Sequence, residues 1–262
     1  MALIEVNFVS KLLLRTVTFN AVIPLDGLAK TEALGDKKFK TLYLLHGSFG
    51  NHTDFISGTR IQRWADEHHL AVIMPAGENQ FYIDKPKFSE YYGAFVAKEL
   101  VDFTRSLLPL SDKKEDTYIA GLSMGGYGAI VNGLKYHDTF GAIGALSPGL
   151  ILDDIINQTQ LFEDIGIALP LCDYYLDGLE SVKGSDKDYY YLVDQLKQSG
   201  AEFPKLYMAI GQDDFIIEPV QKFKSYLDEN QIEVTYIEGA GQHDWDFWDT
   251  YVHHLIEWLD LI

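Results

Sequence analysis

Thr117-Tyr-Ile-Ala-Gly-Leu-Ser-Met-Gly-Gly-Tyr-Gly-Ala-Ile130 decides how this chain is read. Tyr118 to Ala120 is a short apolar run with a β-branched residue and reads as a strand. Tyr127, Ile130, Val131 and Leu134 then recur at helical spacing. Between the two lies Gly121-Leu-Ser-Met-Gly125, a G-x-S-x-G pattern. A sharp strand-to-helix turn here lifts Ser123 out of the sheet in a disfavoured backbone conformation. Side chains two residues to either side would collide in so tight a turn, and glycine occupies both positions. Gly126 and Gly128 are expected to let the helix lie close on the sheet. The backbone N–H of Met124, at the helix N-terminus, is expected to face an oxyanion forming beside Ser123.

Outward from this stretch, strands and helices alternate. Leu3 to Val9 and Leu12 to Val22 read as two opening strands joined at Ser10-Lys11, and residues 24–38 as polar and turn-rich. Thr41 to Leu45 suits a central strand, followed at once by His46-Gly-Ser-Phe-Gly-Asn51. A glycine-bearing loop after a strand is where a hydrolase fold takes its second oxyanion donor. That donor is placed at the N–H of Ser48, with Phe49 as the alternative, and His46 reads as a brace for the loop.

Thr53 or Asp54 can cap a helix running to about His69. Leu70 to Met74 reads as a strand, and Asn79 to Asp84 as a loop on the ligand-binding side of a parallel sheet. Tyr91 to Leu107 is an amphipathic helix with Tyr92, Phe95, Val96, Leu100, Phe103 and Leu107 on one stripe. Gly141 to Leu146 reads as a buried strand. Residues 150–188, acidic and rich in tyrosine, break the alternation and read as a cap insertion over the strand ends. Helices follow at Tyr189–Ser199, Pro219–Asn230 and Trp245–Leu261, with strands at Lys205–Ile210 and Glu233–Ile237. The expected fold is α/β, one domain over residues 1–262, with a mostly parallel sheet covered on both faces and an antiparallel edge made by the first two strands.

Composition narrows the partners. The 262 residues carry 21 Lys+Arg against 39 Asp+Glu, a net charge of −18, which argues against nucleic acid and anionic membrane. No segment reads as a membrane span or a signal peptide, and a single cysteine, Cys172, fits a reducing, cytoplasmic compartment. No His/Cys/Asp/Glu cluster has convincing metal-ligand spacing, so no metal is expected. Aromatics on the cap or the terminal helix leave room for a homo-oligomer.

A serine hydroxyl needs a base to take its proton, and the base needs a group to orient it. In an α/β-hydrolase the order is Ser, acid, His, each on a loop after a later strand. Gly211-Gln-Asp-Asp-Phe215 and Gly239-Ala-Gly-Gln-His-Asp-Trp245 are two such loops. His243 is therefore the candidate base, and Asp213 or Asp214 the acid. His68, His69, His137, His253 and His254 lie in or at the ends of helices and read as surface or packing residues.

With these residues in place, the chain resembles the esterase D (S-formylglutathione hydrolase-like) family, and among its branches the small tributyrin esterases of bacteria. The matching stretches are Leu42-Tyr-Leu-Leu-His-Gly47 with Gly50-Asn51, Phe81-Tyr-Ile-Asp84, Gly121 to Gly128, Gly211 to Phe215 and Gly241-Gln-His-Asp-Trp-Asp-Phe-Trp248. The family places its acid immediately before the Phe, which selects Asp214. The resemblance further implies Ser123 as nucleophile, His243 as base, Met124 as one oxyanion donor, and hydrolysis of small-molecule, short-chain acyl esters without a cofactor. The S-formylglutathione branch has a longer stretch after its Phe-Tyr-x-Asp element than the residues between Asp84 and Tyr91 here. A thioesterase or an acyltransferase would use the same triad. From another class, the alternative is a non-catalytic binding module on the same fold.

Overall fold

Alternating side chains make the sheet edge. Strands β1 (Ala2–Ser10) and β2 (Arg15–Ile23) pair antiparallel, and β2 continues antiparallel onto β4 (Ala71–Pro75). The computed structural model describes residues 1–25 and 38–260. Most of the turn-rich stretch expected at 24–38 therefore lies outside the described residues, as does Leu261. The turn between β1 and β2 spans residues 11–14, and Leu13, expected in the strand, is instead tucked into the core from it.

Parallel strands complete the sheet: β3 (Thr41–Leu45), β7 (Thr117–Leu122), β8 (Ala142–Leu146), β9 (Lys205–Gly211) and β10 (Thr235–Gly239). The eight-stranded order is β1-β2-β4-β3-β7-β8-β9-β10, with a small hairpin of β5 (Asp84–Lys85) and β6 (Glu90–Tyr91) beside it. The central strands are buried on both faces, so they read as continuous apolar runs while their residues still alternate between two cores. Tyr43, Leu45, Ile119, Ile143 and Met208 belong to one core. Leu42, Leu44, Tyr118, Ala120 and Ala209 belong to the other. This confirms the α/β fold with a mostly parallel sheet covered on both faces.

Helices α1 (Asp54–Gly58) and α2 (Ile61–Glu67) occupy the stretch expected to hold one helix. The chain breaks at Thr59, which is extended, and at Arg60, whose backbone N–H and guanidinium both donate to Asp249. Thr53 sits at the cap position of α1, but its hydroxyl donates to Asn51 rather than closing the helix.

The next helix runs as α3 (Tyr92–Ala94), a π-turn over Phe95–Glu99 and α4 (Leu100–Leu107). A π-turn adds a residue to the helical repeat and rotates the turns C-terminal to it. Val101 and Thr104 consequently join Leu100 in the interior, and Leu107, expected on the buried stripe, is 51% exposed.

Helix α5 (Met124–Lys135) is buried from Met124 to Leu134. Its glycines do not all meet the sheet as expected. A Cβ on Gly126 would meet Pro148 first and then the Gly121 carbonyl of β7, and one on Gly128 the Tyr82 ring, whereas Gly125 and Gly133 are pressed onto the strands, at Leu45 and Ile143. Residues 150–188 hold three short helices, α6 (Leu152–Asn157), α7 (Gln160–Ile165) and α8 (Leu169–Tyr175). The chain then returns through α9 (Tyr189–Ser199), α10 (Ile217–Glu229) and α11 (Trp245–Asp260). No helix among the described residues is long and apolar enough to cross a membrane.

Candidate active site

Ser123 joins β7 to α5 with φ 52° and ψ −117°, a conformation an L-residue adopts only when its surroundings impose it. Three backbone hydrogen bonds impose it here. The Ser123 N–H donates to Leu146 O at 2.9 Å, and Ser123 O accepts the N–H groups of Tyr127 (3.0 Å) and Gly149 (2.9 Å). The turn leaves no room beside it. A Cβ at Gly121 would run into the Gly125 carbonyl, and one at Gly125 into the carbonyls of Leu45 and His46.

Asp214 follows β9 and His243 follows β10, and their loops are stitched together. Gln212 N–H donates to Gly239 O at 2.8 Å, and Asp213 N–H to Gly241 O at 3.0 Å. Gly241, at φ 133°, lies against the Cα of Gly211. His243 Nδ1 contacts Asp214 Oδ2 at 2.9 Å and Oδ1 at 3.1 Å, while Nε2 stands 3.0 Å from Ser123 Oγ. A carboxylate only accepts, so the proton sits on Nδ1 and Nε2 is left to accept from the serine. Phe215 and Trp248 meet the imidazole edge-to-face, with centroids 4.8 and 5.0 Å away. Asp244, next in the chain, accepts the Phe247 N–H and opens α11.

Asp214 is 2% exposed, whereas Asp213 faces solvent. Burial pushes the Asp214 carboxyl up, but His243 and the Ile216 N–H together outweigh it and hold the group below its ordinary value. The structure thus brings Asp214, and not Asp213, to His243.

On the other side of Ser123 lies the loop after β3. His46 Nδ1–H donates to Gly47 O at 2.7 Å, and Nε2 accepts the Gly77 N–H at 2.8 Å. The histidine is a brace, as its position implied. The Phe49 N–H donates to Asn79 Oδ1 at 2.7 Å, while no hydrogen bond among the described residues uses the Ser48 N–H. The Met124 N–H is the first of α5 and lacks an intrahelical acceptor. Ser48 and Met124 line the same cavity as Ser123 and His243.

That cavity has a volume of about 1080 Å³. Leu161, Ile165 and Ile167 of the 150–188 segment form one wall, and Gly58, Trp245 and Asp54 another. Phe81 also lines it and packs on Tyr127 and Tyr175. Tyr82 points the opposite way, buried, with its hydroxyl on His46 O. The sequence marked this loop as ligand-side but could not assign its members. Phe215, Trp248 and Asn79 were likewise unassigned, because their partners are remote in the chain.

Comparison with known proteins gives the family. The esterase family model matches residues 18–257. The chain is 42% identical over 267 residues to an acetyl esterase of Caldicellulosiruptor saccharolyticus, covering 100% of this chain and 99% of that one. Among solved structures, it is similar to the S-formylglutathione hydrolase FrmB of Staphylococcus aureus, with a TM-score of 0.84, 30% identity and 98% of each chain covered. It is also similar to FphF, a fluorophosphonate-binding serine hydrolase of Staphylococcus aureus, with a TM-score of 0.86, 31% identity and 98% of each chain covered. The chain therefore belongs to the esterase family, as an esterase D-like carboxylic ester hydrolase of the α/β-hydrolase fold.

Proposed function

We propose that the protein hydrolyses short-chain acyl esters through a Ser123–His243–Asp214 triad and an acyl-enzyme. The observation that carries this reading is the unbroken hydrogen-bond chain from Ser123 Oγ through His243, both of which line the cavity, to the buried Asp214. Ser123 Oγ attacks the ester carbonyl as its proton passes to His243 Nε2. The N–H groups of Met124 and Ser48 receive the oxyanion, and the imidazolium gives its proton to the departing alkoxide. Water then enters and attacks the acyl carbonyl as it loses a proton to the same nitrogen; the acyl–Ser123 bond breaks, the acid leaves, and the imidazolium returns the proton to Ser123 Oγ. Asp214 stays ionised and holds the imidazole in the productive tautomer.

The 150–188 segment acts as a cap on a single domain spanning the chain, and its Leu161, Ile165 and Ile167 wall suits an aliphatic acyl group. The lone cysteine, Cys172, supports a cytoplasmic location.

Similarity to FrmB favours one second reading, an S-formylglutathione thioesterase. Charge weighs against it. Asp54 and Asp164 line the cavity and, among the described residues, no Lys or Arg does, so the carboxylates of glutathione would meet two like charges and no cation. The deciding experiment is kcat/KM on p-nitrophenyl acetate and butyrate beside S-formylglutathione, with Ser123→Ala as control. Turnover of the oxygen esters that disappears in the control supports the proposal. A large preference for the thioester would replace it with the second reading.

A further inference from the structure

We propose that Asn79 is a positioning residue for the oxyanion site: its carboxamide oxygen holds the Phe49 N–H and so fixes the loop after β3 with the Ser48 N–H left for the substrate. This rests on the reading of Ser48 as the second oxyanion donor.

The loop has reason to move without such a tether. Phe49 has φ 66°, a left-handed conformation that costs a non-glycine residue about 1 kcal/mol or more. The residue is 84% exposed, so side-chain packing does little to hold it there. Within the loop, the backbone bond from Gly50 N–H to Gly47 O is a long one of 3.3 Å. The contact of 2.7 Å with Asn79 is as short as the His46 bond to Gly47 O at the start of the loop, and it holds the loop at Phe49. An N–H can meet only an acceptor, so the oxygen of the carboxamide faces it.

Asn79 is itself held. It sits on the loop after β4, where the Gly77 N–H is bound by His46 and Glu78 is paired with Arg15. Gln80, the next residue, accepts from the fully buried Lys85. Two loops from neighbouring strands are thereby joined at one point, 30 residues apart in the chain. Of the two adjacent N–H groups that could serve an oxyanion, this bond occupies the one on Phe49. Asn79 does not line the cavity, so its influence on the reaction passes through the loop.

The test is steady-state kinetics of Asn79→Ala and Asn79→Asp on p-nitrophenyl acetate, together with inhibition by a trifluoromethyl ketone, whose adduct carries an oxyanion. Removing the tether should lower kcat by roughly 10- to 100-fold, less than the roughly 100- to 1,000-fold for outright loss of an oxyanion donor, with KM changed by no more than about twofold. Affinity for the ketone should fall in parallel. The aspartate variant keeps an acceptor at the same reach and should recover most of kcat. An undiminished kcat in Asn79→Ala, a loss confined to KM, or an equal loss in both variants would overturn the proposal. Wild-type turnover that depends on Ser123 keeps the esterase reading standing in each of those cases. If wild type shows no Ser123-dependent turnover, that reading fails and this inference with it.

Discussion

His46 and Gly77 are joined by a hydrogen bond of 2.8 Å in which the imidazole is the acceptor. The arrangement needs a neutral ring. Burial pushes the His46 pKa below its ordinary 6.5, and the bond to Gly47 O only partly offsets this. The unfolded chain binds the proton more readily than the folded one. The stability gained is thus complete above about pH 6.5 and is lost as pH falls from there through the lower folded value. Urea midpoints should drop between pH 7 and 5, and should drop less in His46→Gln. Because the Asp214 carboxyl is also held low, its loss lies below pH 3.8 and does not overlap. Equal pH slopes in the two proteins would remove His46 as the source.

Ser123→Ala and His243→Ala should each lower kcat on p-nitrophenyl acetate by at least about three orders of magnitude, since the members of the proposed triad would act as a unit. Asp214→Asn should cost roughly 100- to 10,000-fold, by releasing the imidazole to the wrong tautomer. Asp213→Asn should stay within about twofold, because its side chain faces solvent. A loss in Asp213→Asn matching that in Asp214→Asn, with unchanged melting temperature, would mean the acid is misassigned.

Much of this was legible in the sequence, for a physical reason. G-x-S-x-G is a local steric requirement, and strands buried on both faces leave apolar runs that need no partner to be recognised. The order of Ser123, Asp214 and His243 follows from the order of strand ends. Asp213 against Asp214 was not legible from spacing, because it depends on which side chain turns inward after Gly211. The exposure of Leu107 was hidden because a π-turn leaves no mark in the periodicity before it. The break between α1 and α2 was hidden because Asp249, which fixes it, lies 189 residues away. Asn79 was hidden in the same way.

Gly125 is the most demanding position of the elbow. A methyl group there would press on the carbonyls of Leu45 and His46, and both belong to backbone that cannot step aside. Gly125→Ala should therefore destabilise the protein by about 1–3 kcal/mol or more, as overpacking does, and also displace Ser123. Thermal denaturation and labelling by a fluorophosphonate read the two effects separately. A variant that melts and labels like wild type would show that the turn has slack.

The aliphatic wall makes the last prediction quantitative. Each CH₂ moved from water into an apolar site contributes about 0.8 kcal/mol, close to fourfold in kcat/KM. If the acyl chain lies against Leu161, Ile165 and Ile167, the two further CH₂ groups of p-nitrophenyl butyrate should raise its kcat/KM over acetate by roughly 15-fold. Ile167→Trp narrows that side without touching Ser123 or the oxyanion donors. It should lower octanoate turnover by roughly tenfold or more while leaving acetate within about threefold. A uniform loss over acetate, butyrate and octanoate would mean that the wall faces the alcohol rather than the acyl group. The chain-length limit would then be set on the side of Gly58 and Trp245.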